Sequence, residues 1–304
     1  MRLEREALRA GGVALAASAV NAHLRRAAER DRRVGTPYIR LVDDGRGGQI
    51  EYAVSQPDDP TRPVLIFETG LGASFDSWDW LSQILGHEFW IVRYHRPGTG
   101  RTRSGHRPGK LILTILEQLD VDDNDKHLVG HSIGGLFVWN DLAEFPALTD
   151  QVSTATVIDA TDGDLLAQER QDRAKVRQFR QYCFQEGFAA VTGLGSWTIG
   201  PVESEVNYRA AIQRAFLTES SRPRTLLTAV REHAREPIIS SEAIRHLNVR
   251  RTVVSADDNV IQQRALAQKI SADLAVVPRS THRSIIGRFG PASDVAQILR
   301  GVTR

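Results

Sequence analysis

Val129-Gly130-His131-Ser132-Ile133-Gly134-Gly135 is the stretch on which the reading of this chain turns. Gly130 to Gly134 fit G-x-S-x-G. An apolar run, Lys126-His127-Leu128-Val129, precedes the motif, and a helical pattern over Ile133–Phe145 follows it and stops at Pro146. A serine on so sharp a strand-to-helix turn projects its hydroxyl above a sheet, and small neighbours permit the crowded backbone that the turn requires. The plainer alternative is a glycine-rich turn with an incidental serine. The strand before and the helix after argue against it.

Working outward, short apolar runs alternate with helical stretches from Val34 onward. Tyr38–Val42, Ile50–Val54, Pro63–Phe67, Phe89–Val92, Thr154–Ile158, Arg251–Val254 and Leu274–Val277 read as strands. Asp76–Leu85, Val260–Ile270 and Ala292–Leu299 read as helices. Pro63–Phe67 is almost continuously apolar, as a strand buried on both faces is. The alternation predicts an α/β fold, a mostly parallel doubly wound sheet with helices on both faces. Between Gly163 and about Pro237 the rhythm breaks into amphipathic helices without a strand, which predicts an inserted helical cap. The expected division is an N-terminal helical segment (1–33), a core (34–162 and 237–304) and the cap (163–236). Ala10–Leu24 is uncharged, and Val13, Ala17, Val20 and Leu24 form a helical stripe. Arginines flank this run, and Ala17-Ser18-Ala19 has the look of a signal-peptidase site. A docked or loose helix on a cytoplasmic protein is the preferred reading. Export or surface association through residues 1–24 is the alternative.

Composition narrows the classes further. The 304 residues carry 39 Lys+Arg against 37 Asp+Glu, a net charge of +2, too small for an electrostatic footprint for nucleic acid. With 41% hydrophobic and 25% charged residues, the chain is not of a largely disordered type. The single cysteine, Cys183, excludes an internal disulfide and a multi-thiolate metal site. No uncharged run approaches the ~20 residues that span a bilayer. The expectation is therefore a protein without nucleic-acid partner, transmembrane span, metal or cofactor.

A serine nucleophile needs a base, and the base needs an acid to orient it. Of nine histidines, six precede the serine. His282, in Thr281-His282-Arg283, follows the last apolar strand, where a base is presented at a strand's carboxyl end. His233 and His246 fall in or beside the inserted helices and are expected to face solvent. For the acid, Val253-Val254-Ser255-Ala256-Asp257-Asp258-Asn259 ends a strand with two aspartates. Asp258 is preferred, with Asp257 next, as a solvated or capping neighbour, and Asp159 and Asp162 last. An oxyanion hole needs backbone N–H groups that a substrate can approach closely. In Glu68-Thr69-Gly70-Leu71-Gly72 the glycines allow that, so the amides of Leu71 and Ile133 are the expected donors.

Together these motifs resemble the α/β-hydrolase superfamily, in its variety with a helical cap, over about residues 34–304. Arg93-Tyr94-His95-Arg96-Pro97-Gly98-Thr99-Gly100 is similar to the family's Tyr-Asp-Arg-Pro-Gly-x-Gly turn, with His95 where aspartate is usual. That departure bears on local hydrogen bonding rather than on catalysis. Glu68-Thr69 stands where many members have His-Gly. The resemblance implies the chain order serine, acid, histidine. It excludes the epoxide hydrolases and haloalkane dehalogenases of this fold, which attack with aspartate. It implies acyl chemistry without choosing the substrate.

The function expected is a cofactor-independent serine hydrolase that cleaves a small or medium carboxylic ester through an acyl-enzyme. Ser132, Asp258 and His282 are catalytic, Leu71 and Ile133 hold the oxyanion, and the partner is a small-molecule acyl substrate. Lactonase, thioesterase, carbon–carbon bond hydrolase and acyltransferase remain open on the same fold. So do a ligand-binding receptor and a partner-binding protein on an inactive scaffold. In the insertion, Phe179, Tyr182, Phe184, Phe188, Trp197, Tyr208 and Phe216 supply aromatic surface. Most are expected to pack the cap onto the core and a minority to line a pocket, for which Trp78 and Trp80 are also candidates.

Overall fold

The structure is a computed structural model that describes residues 38–192 and 205–303, together with 22–23, 26–30 and 32–36. The stripe over Val13–Leu24 and Trp197 lie outside the described residues. Eight strands form one sheet: β1 (Ile39–Asp43), β2 (Gln49–Ser55), β3 (Val64–Glu68), β4 (Trp90–Tyr94), β5 (Lys126–His131), β6 (Val152–Ile158), β7 (Arg250–Ala256) and β8 (Asp273–Val277). Their order is β1-β2-β4-β3-β5-β6-β7-β8. The pairs β1–β2 and β2–β4 are antiparallel, and every other pair is parallel. Each of the eight apolar runs picked out in the sequence falls on one of these strands.

The sheet is covered on both faces, and the strands show why. Successive side chains on a strand point to opposite faces. Val64 and Ile66 of β3 join one apolar cluster with Leu128, Val138, Trp139 and Leu142. Leu65 and Phe67 join the other with Val129, Trp78, Leu81, Leu85 and Leu299. A strand with two dry faces must be apolar at every position, which is the composition of Val64-Leu65-Ile66-Phe67. The helices of seven or more residues, in chain order, are α1 (Asp79–Leu85), α2 (Pro108–Leu116), α3 (Ile133–Glu144), α4 (Gly163–Gln171), α5 (Arg173–Thr192), α6 (Ala210–Ser220), α7 (Pro223–Arg235), α8 (Val260–Ile270) and α9 (Phe289–Val302). Helices α2, α3 and α8 cover the first face, and α1 and α9 the second.

Between β6 and β7 the described chain is helical, with α4 to α7 forming the insertion. It meets the core through apolar contacts, Leu166 on Ile133, Leu136 and Phe137 and Ile212 and Phe216 beside Ala73 and Trp80, and through a polar anchor. Arg209 forms a two-toothed ion pair with the buried Asp79 of the core, and within the insertion Arg170 of α4 donates to the carbonyls of Glu232, His233 and Glu236 at the end of α7. Arg32, from the segment before β1, is buried against the equally buried Asp76, at 3.0 Å from Nε to Oδ2.

The turn after β4 answers the question raised by His95. His95 is buried, stacks on Phe75 at 4.0 Å, and shares a 2.8 Å hydrogen bond with Glu51 of β2. Glu51 also accepts from the Arg101 backbone N–H and Nε, at 2.7 Å each. The carboxylate that supports this turn is thus supplied by the neighbouring strand.

His127 of β5 is buried beside Thr154, 2.8 Å from its hydroxyl, and burial lowers its pKa from 6.5 to about 4. A histidine whose folded pKa lies below its unfolded value binds its proton more readily when unfolded. Its contribution is present above pH ~6.5 and is lost as pH falls toward 4. Lowering the pH from 7 to 5 is expected to remove about 2 kcal/mol of stability through this residue. Thermal unfolding of His127→Gln, measured at both values, should show a smaller acid loss than wild type; equal losses would refute the assignment.

Candidate active site

Four chain segments converge at the carboxyl ends of β3, β5, β6 and β8. Ser132 occupies the turn from β5 into α3 with φ 58° and ψ −128°. A residue with a side chain rarely takes a positive φ, so the neighbours must hold it there. The Ser132 N–H donates to the Ile158 carbonyl at 3.0 Å, and its own carbonyl accepts from Gly135 and Thr161 at 3.0 Å each. Gly134 is required by space: a Cβ there would stand 2.5 Å from the Glu68 carbonyl oxygen and 2.6 Å from that of Thr69. The loop after β3 therefore lies directly against the start of α3.

His282, in the loop after β8, places Nε2 3.1 Å from Ser132 Oγ and Nδ1 2.5 Å from Asp159 Oδ2. The acid in contact with the histidine is Asp159, at the end of β6, and the preference for Asp258 is corrected. Asp159 is buried, and its other oxygen accepts from the Ala256 N–H at 3.2 Å and Asn259 Nδ2 at 3.1 Å. Burial alone would raise its pKa, but the His282 bond and charge and the Ala256 N–H outweigh it and hold the carboxyl below its ordinary value. The reason for the correction is topological. β6 lies beside β5, so its end faces the serine turn, and φ of 44° at Asp159 swings the chain there. Asp258 is one strand further out, on a turn of 3-10 helix (Asp257–Asn259), and is exposed. Its carboxylate has no hydrogen bond to His282 among the described residues. Asp257 accepts from the Arg279 N–H, and Asp162 caps α4 through the Asp164 N–H and pairs with Lys269.

His131 was passed over in the sequence because it precedes the serine. Its Nε2 is 2.8 Å from the His282 carbonyl oxygen and its ring lies 4.8 Å from the His282 ring. Burial, together with the neighbouring His282, lowers its pKa to about 3. It is a neutral donor that ties the His282 loop to the turn. Residue type alone gave no signal for this, since histidine before the serine is also an ordinary core residue.

A cavity of about 310 Å³ opens over the serine. Leu71, Phe179, Val206, Phe216, Leu226 and Ile286 supply much of its apolar lining, and Ser132 and His282 also line it. Tyr182, Cys183 and Tyr208 contribute as well, and burial pushes the Cys183 thiol up to about 11. Arg283, paired with Glu205 at 3.5 Å, is the charged side chain at the wall. Phe184 is exposed on the far side of α5, whereas Trp78 is fully buried in the core and Trp80 packs on Phe289. His233 does not face solvent: it is largely covered, and its ring packs against Phe179 at 4.6 Å, tilted by 39°. His246 is exposed. Leu71 faces the cavity, and Ile133 is the first residue of α3, whose N–H is among those a helix leaves unpaired.

Residues 65–289 match the model of the alpha/beta hydrolase family. The chain belongs to that family. Among curated proteins, the α/β hydrolase is 29% identical over 138 residues to "Probable oxidoreductase EphD" of Mycobacterium tuberculosis, a match covering 42% of this chain and 22% of that protein. The chain thus spans about a fifth of that relative's length. Among solved structures, carboxylesterase CesB (YbfK) of Bacillus subtilis superposes with a TM-score of 0.65 at 15% identity, covering 93% of this chain and 97% of its own. The enol-lactonase of Burkholderia xenovorans LB400 does so with a TM-score of 0.56 at 15% identity, over 84% and 97%. At these identities the likeness is one of fold. Among the described residues, no helix is long and apolar enough to cross a membrane.

The crowding at the turn makes a test independent of any activity. Gly134→Ala is expected to cost roughly 1–3 kcal/mol, because the new methyl meets backbone oxygens that cannot step aside. Gly290→Ala, in α9 with nothing within 4 Å of the added methyl, should be neutral or stabilising. Denaturant melts of both variants decide it, and a Gly134→Ala protein as stable as wild type would contradict the packing described.

Proposed function

We propose that the protein is a serine esterase that hydrolyses small or medium carboxylic esters with an apolar acyl or alcohol part. The observation that supports this reading best is the continuous chain Ser132 Oγ, His282 Nε2, His282 Nδ1, Asp159 Oδ2 at the floor of an apolar cavity.

In this mechanism Asp159 accepts from His282 Nδ1–H, which leaves Nε2 as the acceptor for the serine proton. Ser132 Oγ attacks the ester carbonyl carbon as its proton passes to Nε2. The carbonyl oxygen becomes an oxyanion held by the N–H groups of Leu71 and Ile133, each such donor being worth ~2.7–4 kcal/mol in comparable sites. The imidazolium, stabilised by Asp159, returns its proton to the leaving alkoxide, and the acyl group stays on Ser132. Water then attacks the acyl-enzyme through the same base and releases the acid. A cavity of about 310 Å³ suits a compact substrate. Its apolar lining favours a neutral acyl or alcohol group over a charged one.

Ser132→Ala is expected to abolish labelling by a fluorophosphonate probe and turnover of p-nitrophenyl butyrate. Asp159→Asn should lower kcat/KM by about 10⁴, since it mis-sets the histidine tautomer. Asp258→Asn, on the exposed turn, should stay within about twofold of wild type. A large loss at Asp258 with a small one at Asp159 would reverse the acid assignment. Unimpaired labelling of Ser132→Ala would sink the serine mechanism itself.

A further inference from the structure

Arg96 carries more polar contacts than a turn needs. Its side chain is buried, and its guanidinium lies over the Phe137 ring, 4.5 Å from the centroid. Nη1 donates to the Thr69 carbonyl at 2.6 Å, to Thr69 Oγ1 at 2.9 Å and to Glu68. Nη2 donates to the Gly70 carbonyl at 3.0 Å. From the opposite side, Glu232 of α7 takes Nε and Nη2 in a fork, at 2.8 Å each. Burial works against the Arg96 cation, but Glu232 and Glu68 outweigh it and keep it charged. Glu68 is itself buried and also accepts from the Tyr94 hydroxyl.

The Gly70 carbonyl and the Leu71 N–H belong to one peptide unit. A peptide unit is planar, and this one is trans, so its C=O and N–H point in opposite directions. Pinning the Gly70 oxygen on Arg96 therefore aims the Leu71 N–H away from Arg96. The same face of α7 presses on this region twice more. A Cβ at Gly72 would lie 3.3 Å from the Ala229 Cβ, and one at Gly98 would lie 2.1 Å from Thr228 Oγ1. Thr228, Ala229 and Glu232 are three to four residues apart or adjacent, as one helix face requires.

We infer that Glu232, on the cap, is a positioning residue for the oxyanion loop: it holds the Arg96 guanidinium in one orientation, and Arg96 fixes the Gly70–Leu71 peptide. The inference rests on the serine-esterase reading. It makes the oxyanion hole conditional on the seating of α7, since a cap that lifts takes Glu232 with it and leaves Arg96 held from one side only. Glu232 touches neither substrate nor the reacting atoms, so its effect belongs on the transition state rather than on substrate binding.

The test is Glu232→Gln, which keeps the size of the side chain and leaves Arg96 its Glu68 partner. For p-nitrophenyl butyrate, kcat is expected to fall about 10- to 100-fold with KM changed by less than about threefold. Affinity for an alkyl boronic acid, whose serine adduct places an anionic oxygen in the hole, should fall in step with kcat/KM. Glu232→Asp keeps the charge and should lose less; it also serves if the Gln variant does not fold. Lys269→Gln removes the ion pairs to Asp162 and Asp164 at the start of α4 without touching α7 or Arg96. It should lower thermal stability while keeping kcat. Wild-type kcat and boronate affinity in Glu232→Gln would overturn the inference, as would an equal kcat loss in Lys269→Gln at matched stability. Wild-type labelling by a fluorophosphonate, abolished in Ser132→Ala, checks the esterase reading separately. If that labelling fails both readings fall; if it holds and Glu232→Gln behaves as wild type, only this one does.

Discussion

Ser132 holds a backbone conformation that costs a side-chain-bearing residue on the order of 1–3 kcal/mol, and the surrounding structure is arranged to keep it there. Its N–H is bound by the end of β6, its carbonyl by Gly135 and Thr161, and the space beside it is cleared by the absence of a side chain at Gly134. Everything else in the site is placed relative to that turn. β6 delivers Asp159 because it is the strand next to β5. The loop after β3 lies against the first turn of α3 because it shares the cleared space. His131, one residue before the serine, reaches across to the carbonyl of His282 and closes the ring of contacts. Ser132, Asp159, His282 and the Gly70–Leu71 loop follow β5, β6, β8 and β3 of one sheet, so the sheet sets their spacing.

Much of this was readable in the sequence. The eight apolar runs, the serine turn and the histidine after the last strand follow from local signals: continuous apolar character, glycines around a serine, and position in the chain. The acid did not. Asp258 and Asp159 each follow an apolar strand, and local sequence does not distinguish them. What separates them is which strand lies beside β5, a fact of sheet order, and a positive φ at Asp159 that nothing in Ile158-Asp159-Ala160 announces. The solvent-facing reading of His233 failed for a related reason: its cover comes from Phe179, more than fifty residues away in the chain. His131 and Glu232 belong to the same class. Their partners are a backbone carbonyl and a guanidinium that only the folded chain brings near. The departure at His95 was legible as a departure, but not its remedy, since Glu51 comes from a strand forty-four residues earlier.

The two ends of the helical insertion leave from adjacent strands. They also lie close together: a Cβ at Gly163 would stand 2.6 Å from Ile238 Cγ2. The excursion is therefore closed at its base, where it leaves and rejoins the core. The entropy of closing a loop grows only with the logarithm of its length, so segments of other lengths and compositions could be grafted at this point at small thermodynamic cost. Serine, aspartate and histidine all lie outside the graft. About half of the cavity wall, by contrast, comes from within it. A different roof would thus reshape the cavity while Ser132, Asp159 and His282 keep their places, provided it supplied a carboxylate for Arg96 and a cation for Asp79.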